Sequence, residues 1–438
     1  MSELFFEALD IRRHPIRKAE KEIKEKYKYA LTYIIDKILR ENITCRFDTK
    51  IYVTERVRVY NEYLFDDILN KSVNEEFSIS CIVSLGKLKK LQYLYMLVCD
   101  ISLILMKDTL ILQGLSLLNK YLSDKHKTAV KNLFSLMLSK RKIANEYLVI
   151  QPLINQYREN SNFLSKKIKK IIVTANVSAG KSTLINALVG KHVARTSQKI
   201  CTGNISYLFN KAYEDGSIYI ANKSINFSAD ENDLKSTDWE YPVSIVTYFN
   251  SINQNIPRLC LIDTPGVDAA LYKEHSERTY AELLKNDYDL LIYVVNPTQL
   301  GADAQIRHLQ WVSKNLQKEK VIFVLNKLDN YDLLSDSIEE SIGTFRKELL
   351  ALGYKNPVIC PISAYFSYLL KLKTSGQTMS KIENYKYSFY ADQFMEPFYD
   401  LSRYYDGVKC LYKDTEEVRL SKLAGLYGLE KILYGGKL

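Results

Sequence analysis

Residues 173–190 read VTANVSAGKSTLINALVG. A β-branched run passes into a short loop, then into Gly180-Lys181-Ser182 and an apolar helical stretch. That order of residue types suits an anion. Glycine lets the backbone approach without a side chain, and the amides of the loop and helix start face negative charge. Ala179, Gly180, Lys181, Ser182 and Thr183 are therefore candidates to cradle phosphate. Lys181 would reach the outer phosphates of a nucleotide, and the Ser182 hydroxyl would hold Mg²⁺. Loops of this kind ordinarily begin with glycine, whereas Ala175 stands at that position here.

Three later stretches bear on the same ligand. LCLIDTPG at 259–266 ends an apolar run in an acid, which is costly to bury unless something pairs with it. Asp263 would offer its carboxylate to a water on Mg²⁺, and Gly266 its amide to a terminal phosphate. VLNKLD at 324–329 supplies Asn326, Lys327 and Asp329. An ionised aspartate only accepts hydrogen bonds, and guanine offers it two adjacent donors, N1–H and the 2-amino group. Adenine would leave that carboxylate unmatched. The Lys327 stem would lie over the base. In CPISAY at 360–365, the Ser363 and Ala364 backbone would close on guanine O6. Each stretch alone is a modest signal. Together, in order, they lead us to expect a GTP/GDP site with Mg²⁺.

Elements must position these residues. The runs IIVT, LCLID, LLIYVV, VIFVLN and VICPIS are short and apolar, and each precedes a helical stretch. That alternation predicts a mostly parallel sheet with helices on both faces, whose ligands bind at the carboxyl ends of the strands. Before the texture changes near residue 166, helical spacing predicts helices over 17–40, 88–123 (broken near Gly114) and 126–160. TKIYVTERVRVY at 49–60 reads as a strand. We therefore expect a basic, mainly α-helical N-terminal region over 1–165 and an α/β P-loop GTPase domain over 166–438.

The first 170 residues carry 31 Lys+Arg against 20 Asp+Glu, and the remainder 30 against 31. The basic part would suit an anionic membrane surface or an acidic protein, or else is a solvated helical face; nucleic acid is the less favoured partner. The run at 91–106 is shorter than the ~20 residues of a membrane span and contains Asp100, so it reads as a buried helix. Seven scattered cysteines, no CxxC and no opening signal peptide point to free thiols in a reducing cytosol, with peripheral attachment at the inner face of a membrane as an extension of that placement. The histidines do not cluster with cysteines, which argues against zinc.

The motifs resemble the GTPase domain of the dynamin superfamily, and its bacterial dynamin-like branch in particular, most closely over SAGKSTLINALVGKHV at 178–193. The resemblance spans about residues 168–435. It implies that Thr202, in KICTGNISYLF, is the switch threonine that senses Mg²⁺ and the terminal phosphate. It also implies catalytic roles for Lys181 and Ser178, and a Mg²⁺ site built from Ser182, Thr202 and Asp263. The long interval between Lys181 and Asp263 is typical of such domains, and LYGLEKIL resembles their closing helix. Two departures stand out. Val267 follows DTPG where a water-positioning glutamine is found in other GTPases, and Val177 precedes the loop serine. Slow hydrolysis is therefore expected from an isolated chain, and faster hydrolysis once a second copy or a related dynamin-like partner docks through its G domain. The chain is also expected to leave no room for a following stalk.

Two other readings compete. One is a regulatory GTPase switch whose N-terminal helices bind a protein or ribosomal partner without remodelling a membrane. The other is a nucleotide-binding interaction module without hydrolysis, which Lys181, Ser182, Thr202 and Asp263 argue against. Arg195 and Lys199 read as solvated loop charges or a charge finger, and His192 as a surface residue. The aromatic stretch 384–405 reads either as a partner surface or as a helix packed on the sheet.

Overall fold

The computed structural model describes residues 7–42, 47–68, 72–87, 91–194, 204–222, 224–235, 242–252, 255–267, 273–332 and 334–435. Two compact units share the chain. One holds Met1–Lys166 with Lys211–Tyr219 and Lys223–Ser228; the other holds Lys167–Asn210, Ile220–Asn222 and Ala229–Leu438.

The first unit is helical: α1 (Lys21–Glu41), α2 (Phe47–Leu64), α3 (Glu75–Lys87), α4 (Gln92–Leu105), α5 (Asp108–Asn119), α6 (Asp124–Leu138) and α7 (Gln151–Leu164). Every described residue of α4 from Leu94 onward is buried. Asp100, in its middle, accepts from His14 Nε2 (3.0 Å), Tyr27 (2.5 Å) and Tyr60 (3.3 Å) hydroxyls. A buried carboxylate is tolerable when donors surround it in this way. Among the described residues no helix is long and apolar enough to cross a membrane.

Three expectations are corrected here. The predicted strand at 49–60 is part of α2. Tyr52, Val53, Arg56, Val57, Tyr60 and Leu64 are buried at helical spacing, and the Arg56 guanidinium bonds Glu7, which the local sequence cannot reveal. The break expected near Gly114 falls instead at Met106, which adopts a left-handed φ of 47° after α4. Gly114 sits inside α5, where a Cβ would come within 2.9 Å of Ile101, so this glycine serves close helix approach. The helix expected over 126–160 is two helices, α6 and α7, with a break between them.

Part of the first unit comes from far along the chain. Asp215 accepts from Leu9 N–H (2.8 Å), the Tyr219 hydroxyl (2.9 Å) and Lys211 Nζ (2.8 Å). The Tyr213 hydroxyl donates to Ala8 O at 2.8 Å, and Phe227 packs edge-on against Tyr52.

The second unit begins with β1 (Lys169–Ala175), α8 (Lys181–Val189) and β2 (Ser206–Asn210); of the next two strands, β3 (Tyr219–Ala221) has its first residue assigned to the first unit and the rest to the second, and β4 (Ile225–Asn226) belongs to the first. It continues through α9 (Glu231–Lys235), β5 (Val243–Thr247), β6 (Leu259–Asp263), α10 (Lys273–Leu284), β7 (Leu290–Val295) and α11 (Asp303–Asn315). Then follow β8 (Val321–Leu325), α12 (Ile338–Ala351), β9 (Val358–Pro361), α13 (Ala364–Thr374), α14 (Lys381–Gln393), α15 (Glu416–Leu423) and α16 (Leu426–Tyr434). Seven strands run in the order β5-β2-β6-β1-β7-β8-β9. β1 pairs in parallel with β6 and β7, β7 with β8, and β8 with β9; β2 is antiparallel to β6. The strands β6, β7 and β8 are buried at every position. Because successive side chains point to opposite faces, both faces are covered. Sequence periodicity predicted neither β2 nor β5.

The helix after the first strand is braced from behind. α8 packs on α13, and Lys371 Nζ of α13 donates to Leu188 O at 2.8 Å and pairs with Glu430 of α16 at 2.5 Å. These groups are buried in the core, so the C-terminal end of α8 is held there.

Candidate nucleotide site

The carboxyl ends of β1, β6, β8 and β9 lie along one edge of the sheet, and the four motif stretches leave from them. Lys181, 7% exposed, extends its Nζ to the Asp263 carboxylate, itself 3% exposed. The stretches after β1 and β6 are thus joined by an ion pair.

Gly180 caps α8 at φ +89°, a conformation costly for other residues. A Cβ there would also lie 2.3 Å from Nδ2 of Asn326. That amide donates to Ala179 O at 3.1 Å, and its oxygen accepts from Ala364 N–H at 3.0 Å. Asn326 therefore ties the loops after β1, β8 and β9 together. Lys327 is left-handed at φ 67°, and its Cε lies 3.7 Å from the position of that same Cβ. Its stem runs over Gly180. Ser178 is likewise left-handed, at φ 65°. Ala175 is buried at the end of β1 and is not among the residues with positive φ. An alanine meets the geometry there without strain.

Asp329 is 9% exposed and accepts from the Ser363 hydroxyl at 2.6 Å. Burial pushes its pKa up, and the Ser363 hydrogen bond opposes that rise. The amides assigned above to guanine O6 are committed within the protein. Ser363 N–H donates to Ala424 O at 3.1 Å, and Ala364 N–H to Asn326. The Ser363 hydroxyl, which also caps α13 by accepting from Phe366 N–H, is what reaches Asp329.

Gly266 follows directly, with Val177 Cγ2 3.1 Å from where its Cβ would be. Val267 N–H donates to Ala175 O at 3.0 Å, so the chain after DTPG continues as a one-residue bridge beside the phosphate loop. Ser182 and Thr183 occupy the first turn of α8. Thr202, Arg195 and Lys199 lie outside the described residues. His192 is half-buried, with Nδ1 3.4 Å from Asn186 Nδ2.

Several supports gave no sequence signal. Thr264 donates to Val173 O and Thr279 to Pro265 O, each at 2.9 Å, bracing the DTPG turn from β1 and α10. Asn186 accepts from the Val193 and Ala194 amides at 2.9 and 2.7 Å, fixing the chain that leads towards residue 195. These are long-range bonds of ordinary polar residues, and no local spacing announces them. The aromatic stretch divides its roles. Tyr387, Tyr390 and Phe394 pack on Phe366 of α13, while Ile382, Tyr385 and Phe389 stay exposed along α14.

A mostly parallel sheet, a lysine-bearing loop capped by a left-handed glycine, and three further strand-end stretches gathered around it define a P-loop GTPase domain. Residues 171–328 match the dynamin family. The chain is 24% identical over 244 residues to the probable transmembrane GTPase FZO-like, chloroplastic, of Arabidopsis thaliana, covering 50% of this chain and 24% of that protein. It is 24% identical over 197 residues to dynamin-like protein A of Bacillus subtilis (strain 168), covering 41% of this chain and 15% of that protein. These matches support a dynamin-like GTPase domain over residues 171–328. The match spans about a quarter or less of the length of these two relatives. Among solved structures, Era of Aquifex aeolicus bound to GDP.AlF4⁻ aligns at a TM-score of 0.28 with 17% identity, over 49% of this chain and 59% of that one.

Proposed function

We propose that this chain binds GTP and hydrolyses it to GDP and phosphate. One observation carries the proposal: buried residues from three separate strand ends converge, with Lys181 paired to Asp263, Asn326 bonding the Ala179 carbonyl of the phosphate loop and the Ala364 amide, and Asp329 accepting from Ser363. Water would attack the γ-phosphorus as the bond to the β-phosphate oxygen breaks, with GDP the leaving group. Lys181 stabilises charge on the transferred group once nucleotide draws it from Asp263. Asp329 selects guanine through its N1–H and 2-amino donors, which adenine cannot offer.

Ser182, Thr202 and Asp263 offer hard oxygen donors, which fit Mg²⁺. Among the described residues no group of three or more His, Cys, Asp and Glu is assembled for a metal. A Mg²⁺ ion held largely by nucleotide phosphates and water needs none. When bound, the ion would neutralise phosphate charge.

The finer reading concerns assembly. Val267 has no polar atom with which to orient water, so hydrolysis is proposed to accelerate when two G domains meet across the nucleotide and order Ser178 and the Thr202 segment. The basic excess of the first 170 residues supports peripheral attachment to an anionic membrane. Calorimetric titration with GTP and ATP tests the first level, where equal affinities would refute it. Light scattering with GDP, a GTP analogue and GDP–aluminium fluoride tests the second. A chain that stays monomeric throughout, with a specific rate flat across enzyme concentration, would replace dimerisation with a switch activated by another protein. Co-sedimentation with anionic vesicles tests the third, and no binding with or without GTP would exclude it.

A further inference from the structure

Helices α10 and α11 hold a cluster of buried polar atoms that lack hydrogen-bond partners: the Ser276 hydroxyl, both amide atoms of Gln305 and Nδ1 of His308. The three residues are 8%, 4% and 1% exposed. Both helices follow strands parallel to β1, so they run the same way. They touch through Tyr280, whose ring stacks on Trp311 at 4.0 Å and lies 5.7 Å from the His308 ring. Ser276 stands one turn before Tyr280, and Gln305 one turn before His308. The orphaned atoms therefore share one region, at the N-terminal ends of both helices.

That region adjoins the phosphate loop. The Asn176 amide, oriented by its neighbours, donates to Val267 O (3.2 Å) and accepts from the backbone N–H of Gln305 (2.9 Å). The Thr174 hydroxyl lies 3.1 Å from His308 Nε2. Thr174 and Asn176 flank Ala175, and Val267 holds the place of the missing glutamine. Burial drives the His308 pKa down to about 3, so its imidazole is neutral, with one donor and one acceptor nitrogen. Each orphaned polar atom costs about 1–3 kcal/mol, so four in one place call for an occupant. Hydroxyl, amide and imidazole atoms together offer the two to four partners that a buried water requires.

We infer that this cluster holds ordered water behind the phosphate loop and that Gln305 is a positioning residue for hydrolysis. Through that water the Gln305 side chain would fix the start of α11, whose backbone N–H at Gln305 holds Asn176 and, through Asn176, the Val267 carbonyl in the segment after Gly266. This rests on the GTP-hydrolysis reading above.

The test uses the full chain with Gln305→Met, which keeps volume but removes both amide atoms, and Ser276→Ala, which removes one hydroxyl. For Gln305→Met, kcat is expected to fall about tenfold or more while KM and GDP affinity change less than about threefold. Affinity for GDP–aluminium fluoride should fall by a similar factor to kcat. Ser276→Ala should lower kcat by a smaller factor, about two- to fivefold, and keeps the question open to measurement if methionine unfolds the chain. A mere packing role predicts the reverse: removing orphaned atoms raises the melting temperature and leaves kcat alone. Native turnover retained in both variants, with unchanged affinity for the transition-state analogue, overturns the inference and spares the functional reading. A native chain that does not turn over GTP overturns both.

Discussion

Gly180 and Asn326 are predicted to be energetically coupled, and a double-mutant cycle would measure the coupling. Gly180→Ala places a methyl at φ +89°, a conformation that costs a residue with a Cβ about 1–2 kcal/mol. The same methyl would sit 2.3 Å from the Asn326 amide nitrogen, so that side chain must leave. It then gives up its bonds to Ala179 O and Ala364 N–H, worth about 0.5–1.5 kcal/mol each. The single substitution should therefore destabilise by about 2–5 kcal/mol. Asn326→Ala should cost a similar amount, because it leaves those two backbone groups unpaired. In the Asn326→Ala background, however, Gly180→Ala meets no amide and costs only the backbone term. The interaction energy is then about 1–3 kcal/mol, with the double variant milder than the sum. Trp311, stacked on Tyr280 in the second unit, gives a fluorescence signal during denaturation that follows that unit. Additivity within about 0.5 kcal/mol would refute the claim that Gly180 is required by Asn326.

The remaining predictions concern the nucleotide and pH. Lys181→Ala should reduce turnover by about 100-fold or more, and retained hydrolysis in a folded variant would move the chemistry to another site. Asp329→Asn should weaken GTP binding by about 1–3 kcal/mol, measured by calorimetry; unchanged affinity would remove Asp329 from base recognition. His308 has a folded pKa of about 3, below its ordinary 6.5, so the unfolded chain binds the extra proton between those values. Its contribution is therefore fully present above pH 6.5 and is lost as pH falls towards 3, by about 2 kcal/mol between 6.5 and 5. His308→Leu should flatten that part of the stability profile of the second unit; an unchanged slope would show that other groups cause it.

The site was legible where chemistry sits on a short apolar strand, because strand and motif announce each other: Val173 to Ser182, Leu259 to Gly266, Ile322 to Asp329. What joins these stretches was not. The Asn326 bonds to Ala179 and Ala364 cross 147 and 38 residues, and nothing in NKLD implies them. The α2 error has a definite cause. Ile51, Val53, Val57 and Val59 fall on alternate positions, which mimics a strand, while the helical stripe is completed by Arg56, a charge buried only because Glu7 meets it. Orphaned atoms such as those of Gln305 are invisible in a sequence, since burial without a partner is a property of packing.

The origin of the first unit has a consequence for how the protein is made. The chain crosses the division after residues 166, 210, 219, 222 and 228. A ribosome that has released the first 166 residues has not yet produced Asp215, Tyr213 or Phe227, on which Leu9, Ala8 and Tyr52 close. By the time Ser228 emerges, β1, α8 and β2 are already outside the exit tunnel and waiting for β6 and β7. The usual order, in which an N-terminal domain finishes before its neighbour begins, is unavailable to this polypeptide. A gene fragment cut at the apparent boundary near 166 would yield an N-terminal piece whose Leu9 amide has lost its acceptor.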